Sequence, residues 1–109
     1  MLINFKNIDE ITIKNFHGGL KEVYCNAFSD DLNRIMFSRI VPGGSNGKHQ
    51  HLDSSEIMFV VSGTGYSITD GVKERLMPGV CSYCKKGSFH EVVNDGAVDL
   101  VCYNVVCKQ

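Results

Sequence analysis

With 109 residues, 43% of them apolar and 21% charged, the chain suits one compact globular domain spanning 1–109 with a core of ordinary size. Eleven basic and twelve acidic residues leave a formal net charge of −1, which excludes the basic footprint of a nucleic-acid binder or of a protein held on an anionic membrane. No apolar run approaches the roughly 18 residues of a membrane span. The opening "MLINFKNIDEITIKN" lacks the basic start and small-residue cleavage site of a secretory signal, so the cytoplasm is the expected location.

In chain order, Leu2, Ile3, Phe5, Ile8 and Ile11 fit either a short helix or an extended arm. His17, in "NFHGG", reads as an exposed loop histidine without a partner. "EVYCNAF" (22–28) and "RIMFSRIV" (34–41) are rich in β-branched and aromatic residues and flank the polar "SDDLN", which predicts two strands. "PGGSNG" (42–47) reads as a dense turn. "EIMFVVSG" (56–63) is the clearest buried strand, and "GYSIT" and "KERLM" flank Asp70-Gly71, a strong hairpin signal. "VCSYC", "HEVVN" and "VDLVCYNVVC" (98–107) complete the series, with turns at "KKG" and "NDGA". Short strands punctuated this regularly predict an all-β barrel or sandwich.

Five cysteines, Cys25, Cys81, Cys84, Cys102 and Cys107, form an odd set, and free thiols are expected. Cys81 and Cys84 spell C-x-x-C, but on a strand positions i and i+3 face opposite ways, so they read as ordinary strand residues.

The chemistry gathers in "GKHQHLDSSE". His49 and His51 are two apart and project from one face of a strand. "LDSS" can turn the chain so that Glu56, entering the next strand, comes beside the imidazoles. His90, after the Gly87 turn in "GSFHEVV", suits the fourth position better than His17. Three imidazoles and a carboxylate disfavour magnesium and calcium, which prefer all-oxygen shells, and suit manganese, iron, cobalt, nickel, copper or zinc. A tetrahedral zinc site would be closed by four ligands, whereas an octahedral manganese or iron site would keep two positions open.

These spacings resemble a known family. From Gly43 the chain reads G-x5-H-x-H-x4-E-x6-G, ending at Gly63; from Gly79 it reads G-x5-K-x-G-x2-H-x3-N, with Gly87, His90 and Asn94 in place. The two segments, 43–63 and 79–94, look like the two cupin motifs, separated by the short stretch 64–78. Lys85 departs from the family's usual proline and Val80 from its usual aspartate; neither position supplies a ligand.

The resemblance implies a double-stranded β-helix barrel of jelly-roll type, with a divalent metal on His49, His51, Glu56 and His90 inside its mouth. It also implies a homodimer. Asn94 is expected to tie down the loop after the His90 strand. Manganese, iron or nickel are the expected metals, with zinc as an alternative. The function implied is a small metalloenzyme of decarboxylase, dioxygenase, isomerase or lyase type, acting on a carboxylic acid, sugar or sugar acid chelated by the metal. A non-catalytic binding or sensor module and a metal-stabilised structural dimer are the alternatives. Beyond the ligands, Arg39, Tyr83 and Tyr66 are the candidates for contact with a substrate. No residue reads as a clear general base.

Overall fold

Alternation of inward apolar and outward polar side chains produces ten strands in a computed structural model describing residues 1–109. They are β1 (Ile11–Lys14), β2 (Glu22–Ser29), β3 (Asn33–Ile40), β4 (Ser45–Gln50), β5 (Ser54–Ser62), β6 (Gly65–Thr69), β7 (Val72–Leu76), β8 (Cys81–Cys84), β9 (Phe89–Val93) and β10 (Leu100–Lys108). Every pairing is antiparallel. The larger sheet runs β1-β2-β3-β10-β5-β8 and the smaller β4-β9-β6-β7. Non-consecutive neighbours in both sheets fit the expected jelly-roll barrel, because each sheet is built from strands distant in the chain.

The inner faces meet in one apolar core. Val23 and Ile40 come from β2 and β3, Met58 and Val60 from β5, Leu100 and Cys102 from β10, and Leu76 and Val92 from the smaller sheet. The buried polar side chains Glu56, His90 and Asn104 lie on the same strands as parts of this core, β5, β9 and β10. Asn94 is fully buried; its Nδ2 donates to Ile40 O and Val98 O, both at 2.8 Å, and its Oδ1 accepts from Gly96 N at 2.9 Å. It therefore ties the loop after β9 to β3, the role expected for it.

Asp70 and Gly71 both adopt positive φ, +48° and +82°, as the tight β6–β7 hairpin requires. At the expected helix or arm, the chain forms a single 3₁₀ turn, Phe5–Asn7, between extended segments, and Ile11 begins β1. Phe5 lies on the outside of the larger sheet, with ring centroids 5.7 Å from Tyr103 and 6.4 Å from Phe37. The "PGGSNG" turn is shorter than its composition suggests: only Pro42 and Gly43 turn, and Ser45, Asn46 and Gly47 already belong to β4. Gly47 is small for a packing reason, since a Cβ there would run into the His17 carbonyl. The turn at Lys85 closes without proline, with Ser88 N–H donating to Lys85 O at 3.0 Å and Gly87 at φ +87°.

Gly63, at the end of β5, combines φ +80° with a position where a Cβ would collide with the Asp99 carbonyl. Gly63→Ala is expected to lower stability by about 2 kcal/mol or more. Urea unfolding followed by circular dichroism will measure it; an unchanged midpoint would show that the Asp99 loop yields freely.

Candidate metal centre

β4 and β9 pair so that His49 lies directly opposite His90. The register shifts by one residue between Asn46 and His49, a β-bulge. The extra residue lets Asn46 and His49, three apart, both face the barrel interior, where they line the same cleft. His51 follows just past β4, clamped to the Lys85–Ser88 turn through its N–H to Ser88 O (3.0 Å) and its carbonyl to Gly87 N–H (2.6 Å). Glu56 comes from β5, between Val106 of β10 and Cys84 of β8.

The three imidazole Nε2 atoms form a near-equilateral triangle: 3.2 Å from His49 to His51, 3.0 Å from His51 to His90, and 3.1 Å from His90 to His49. Glu56 Oε1 lies 3.0 Å from His90 Nε2 and 3.4 Å from His51 Nε2. All four donor atoms fall within 4.8 Å of one another, so the four residues form a possible metal site. His17, by contrast, is not part of that cluster.

Hydrogen bonding fixes what some of these atoms present. His49 Nδ1 lies 2.7 Å from Gly47 O. A carbonyl only accepts, so Nδ1 carries the proton and the neutral ring offers a lone pair at Nε2. Burial, foremost, lowers the His49 pKa to about 4, with the neighbouring histidines adding to it and the Gly47 bond opposing. His51 Nδ1 sits 3.0 Å from Ser54 Oγ, which orients that ring. His90 Nδ1 is buried without a partner. Burial raises the Glu56 pKa, but hydrogen bonds and charge from His51 and His90 outweigh it and bring the value to about 2. A lasting carboxylate facing convergent nitrogens is a donor set suited to a divalent transition ion.

The carboxylate is held from behind. Asn104 Nδ2 donates to Glu56 Oε2 at 3.3 Å, and Ser38 Oγ donates to Asn104 Oδ1 at 2.6 Å. Asn104 escaped notice in the sequence, although alternation along β10 from Leu100 and Cys102 points it inward. Burial also pushes the Cys84 thiol up to about 11 and the Cys102 thiol to about 12, so neither supplies a competing thiolate.

In front of the ligands opens a cleft of about 250 Å³, lined by Phe16, His17, Arg34, Met36, Asn46 and Gln50 among others. His17 is exposed, as expected, yet it has a partner: its ring stacks on His49, with centroids 3.8 Å apart and planes 12° from parallel. It stands in a left-handed conformation (φ +51°) in the 3₁₀ turn Phe16–Gly18, and partial burial lowers its pKa.

Arg39, Tyr83 and Tyr66 are not among the residues lining the cleft. The β3 face that Arg39 shares with Phe37 is the outer one; its guanidinium pairs with Glu10 and Asp99, both at 3.1 Å, and lies 3.9 Å from the Tyr24 ring centroid. Tyr83 is 52% exposed beside Ile57, and Tyr66 lies under the Lys73 ammonium at 4.1 Å. Arg34 lines the cleft instead, five residues before Arg39 and on the opposite face of β3.

A sequence profile of the cupin domain family matches residues 36–106. A crystal structure described as a predicted oxalate decarboxylase from Thermotoga maritima superposes with a TM-score of 0.93 at 24% identity, covering 100% of both chains. A cupin-2 domain protein from Rhodospirillum rubrum gives 0.82 at 14% identity, over 100% of this chain and 75% of the other. The cupin domain of Schizosaccharomyces pombe Cnp3 gives 0.81 at 7% identity, over 99% and 74%. At such identities the likeness establishes the fold and leaves the chemistry to the site.

Removing the Asn104 amide tests the support behind Glu56. Asn104→Leu is expected to weaken divalent-metal affinity about 10- to 100-fold, measured by competition with a fluorescent chelator. Wild-type affinity in a folded Asn104→Leu protein would mean that Glu56 needs no such support.

Proposed function

The chain belongs to the cupin domain family, and from its four-donor cluster we propose that it is a small metalloenzyme acting on a small oxygen-rich metabolite. The convergence of three imidazole nitrogens and one carboxylate at the floor of an open cleft carries this reading. Three imidazoles and one carboxylate beside an open cleft suit manganese, iron or nickel, which would keep positions open for a ligand, ahead of a closed structural zinc site, with His49, His51, Glu56 and His90 as the ligands.

Held by His49, His51, Glu56 and His90, such an ion would supply polarisation of chelating oxygens and stabilisation of negative charge developing on them. The protein's own residues do the rest. Gly47 O keeps the proton of His49 on Nδ1, Asn104 orients Glu56, and Phe16 with His17 shields one side of the ligand set from water. A carboxylic acid is the first substrate class to try, given the description carried by the T. maritima relative; sugars and sugar acids follow.

A non-catalytic binding or sensor cupin is the alternative. It is favoured by the scarcity of proton-transfer groups, since His17 is the only histidine or carboxylate lining the cleft besides the ligands. A homodimer is proposed for either role. Phe59, Val61, Tyr83 and Tyr103 leave an exposed apolar face on the outside of the larger sheet, suited to a second copy. Five unpaired cysteines fit a reducing compartment such as the cytoplasm. No helix is long and apolar enough to cross a membrane.

Protein purified without a nickel column and reconstituted with manganese, iron, nickel or zinc is expected to hold one ion per chain. His90→Ala is expected to hold none under the same conditions, and metal-dependent conversion of a carboxylic acid should appear only in the loaded wild type. Equal metal content in the two proteins sinks the site; ligand uptake without product selects the binding module. In light scattering, Phe59→Glu should turn a dimer into a monomer, and a wild-type monomer removes the dimer proposal.

A further inference from the structure

Arg34 stands out among the cleft residues because it is the only lysine or arginine there. On β3 it shares the inward face with Met36, Ser38 and Ile40, which line the barrel interior. Across the sheet, Val106 lies between Arg34 and Glu56 in register, so the two Cα atoms are about 10 Å apart, two strand spacings. Although exposed overall, Arg34 borders the same interior space as Cys25. There burial raises the thiol pKa, and the nearby positive charge opposes that rise.

No carboxylate lies within ion-pair distance of Arg34, whereas Arg39 and Arg75 are both paired with aspartates. Asp30, Asp31 and Asp53 line a separate groove along the rim that Arg34 also borders. The same cleft contains an unpaired acceptor as well, because Asn46 Oδ1 is buried without a hydrogen-bond partner.

Given a metal on His49, His51, Glu56 and His90, a reading on which this step depends, we propose that Arg34 binds the distal carboxylate of a ligand chelated to that metal. The ligand is thereby a small dicarboxylate carrying a hydroxyl or keto oxygen beside its other carboxylate. Charge selects for a dianion. Glu56 neutralises one charge of a divalent ion, leaving one positive charge, and Arg34 adds a second in a cleft lined by no other acid.

The cleft, about 250 Å³ and open to solvent, has room for a chain of four or five carbons. Two oxygens at one end meet the metal, and a carboxylate at the other meets the guanidinium.

Calorimetric titration of the manganese-loaded protein tests this with L-malate and 2-oxoglutarate against L-lactate and 2-oxobutyrate, which keep the chelating end and lack the distal carboxylate. At least one dicarboxylate is expected to bind ten-fold or more tighter than its monocarboxylate counterpart. Arg34→Met should erase that preference while leaving manganese content and melting temperature at wild-type values, and Arg34→Lys should restore part of it. Retention of the preference in Arg34→Met, or a loaded wild type that binds neither dicarboxylate better, overturns the role of Arg34 and leaves the metal reading standing. Failure of the wild type to load manganese, seen in the same samples by elemental analysis, overturns the metal reading and this role with it.

Discussion

The constraint on which the site depends is the forced meeting of three imidazole lone pairs and a carboxylate in a place that is mostly dry. His51, Glu56 and His90 are all buried, and burying such groups costs free energy unless each finds a counterpart. The barrel meets that cost in layers. Gly47 O and Ser54 Oγ occupy the outer nitrogens of His49 and His51, Asn104 occupies the second oxygen of Glu56, and Ser38 in turn occupies Asn104. Apart from His90 Nδ1, which is buried without a partner, the remaining donor atoms point to one spot, where an ion can answer them. Below lies the apolar packing of Val23, Met58, Val92 and Leu100, which keeps these ligands at the mouth and the strands rigid beneath them.

The ligand set was legible in the sequence because its information is local and periodic. His49 and His51 share a face by strand alternation, and Glu56 follows one turn later. His90 was reachable only because its glycine-rich approach repeats a spacing known from relatives, since no one-dimensional rule pairs residue 49 with residue 90. The barrel type came with the same likeness, and the strand order only with the structure. Nothing in the alternating pattern of 98–107 says that this last strand lies between β3 and β5.

What escaped the sequence has identifiable physical causes, the first being that alternation tells which residues share a face and is silent on which face looks inward. Arg39 is a candidate for substrate contact in the sequence, but its face of β3 is the outer one, and Arg34 lines the cleft. Tyr83 was misjudged in the same way. The glycines of 42–47 read as a turn because composition cannot separate bending from close approach, and Gly47 serves the second purpose against the His17 backbone. His17 looked solitary because its partner, His49, lies 32 residues away along the chain.

β10 carries a consequence for the order in which the site comes into being. It supplies Asn104, and it is the strand that joins β3, with Arg34 and Ser38, to β5, with Glu56. During synthesis all four metal ligands emerge before residue 100, yet the two halves of the larger sheet have no shared edge until β10 inserts between them. Ligands and frame are thus separated in time, and a nascent chain carries its histidines without the geometry that makes them selective. On the proposed metal reading, selection among ions would be exerted only once the last strand has closed the barrel.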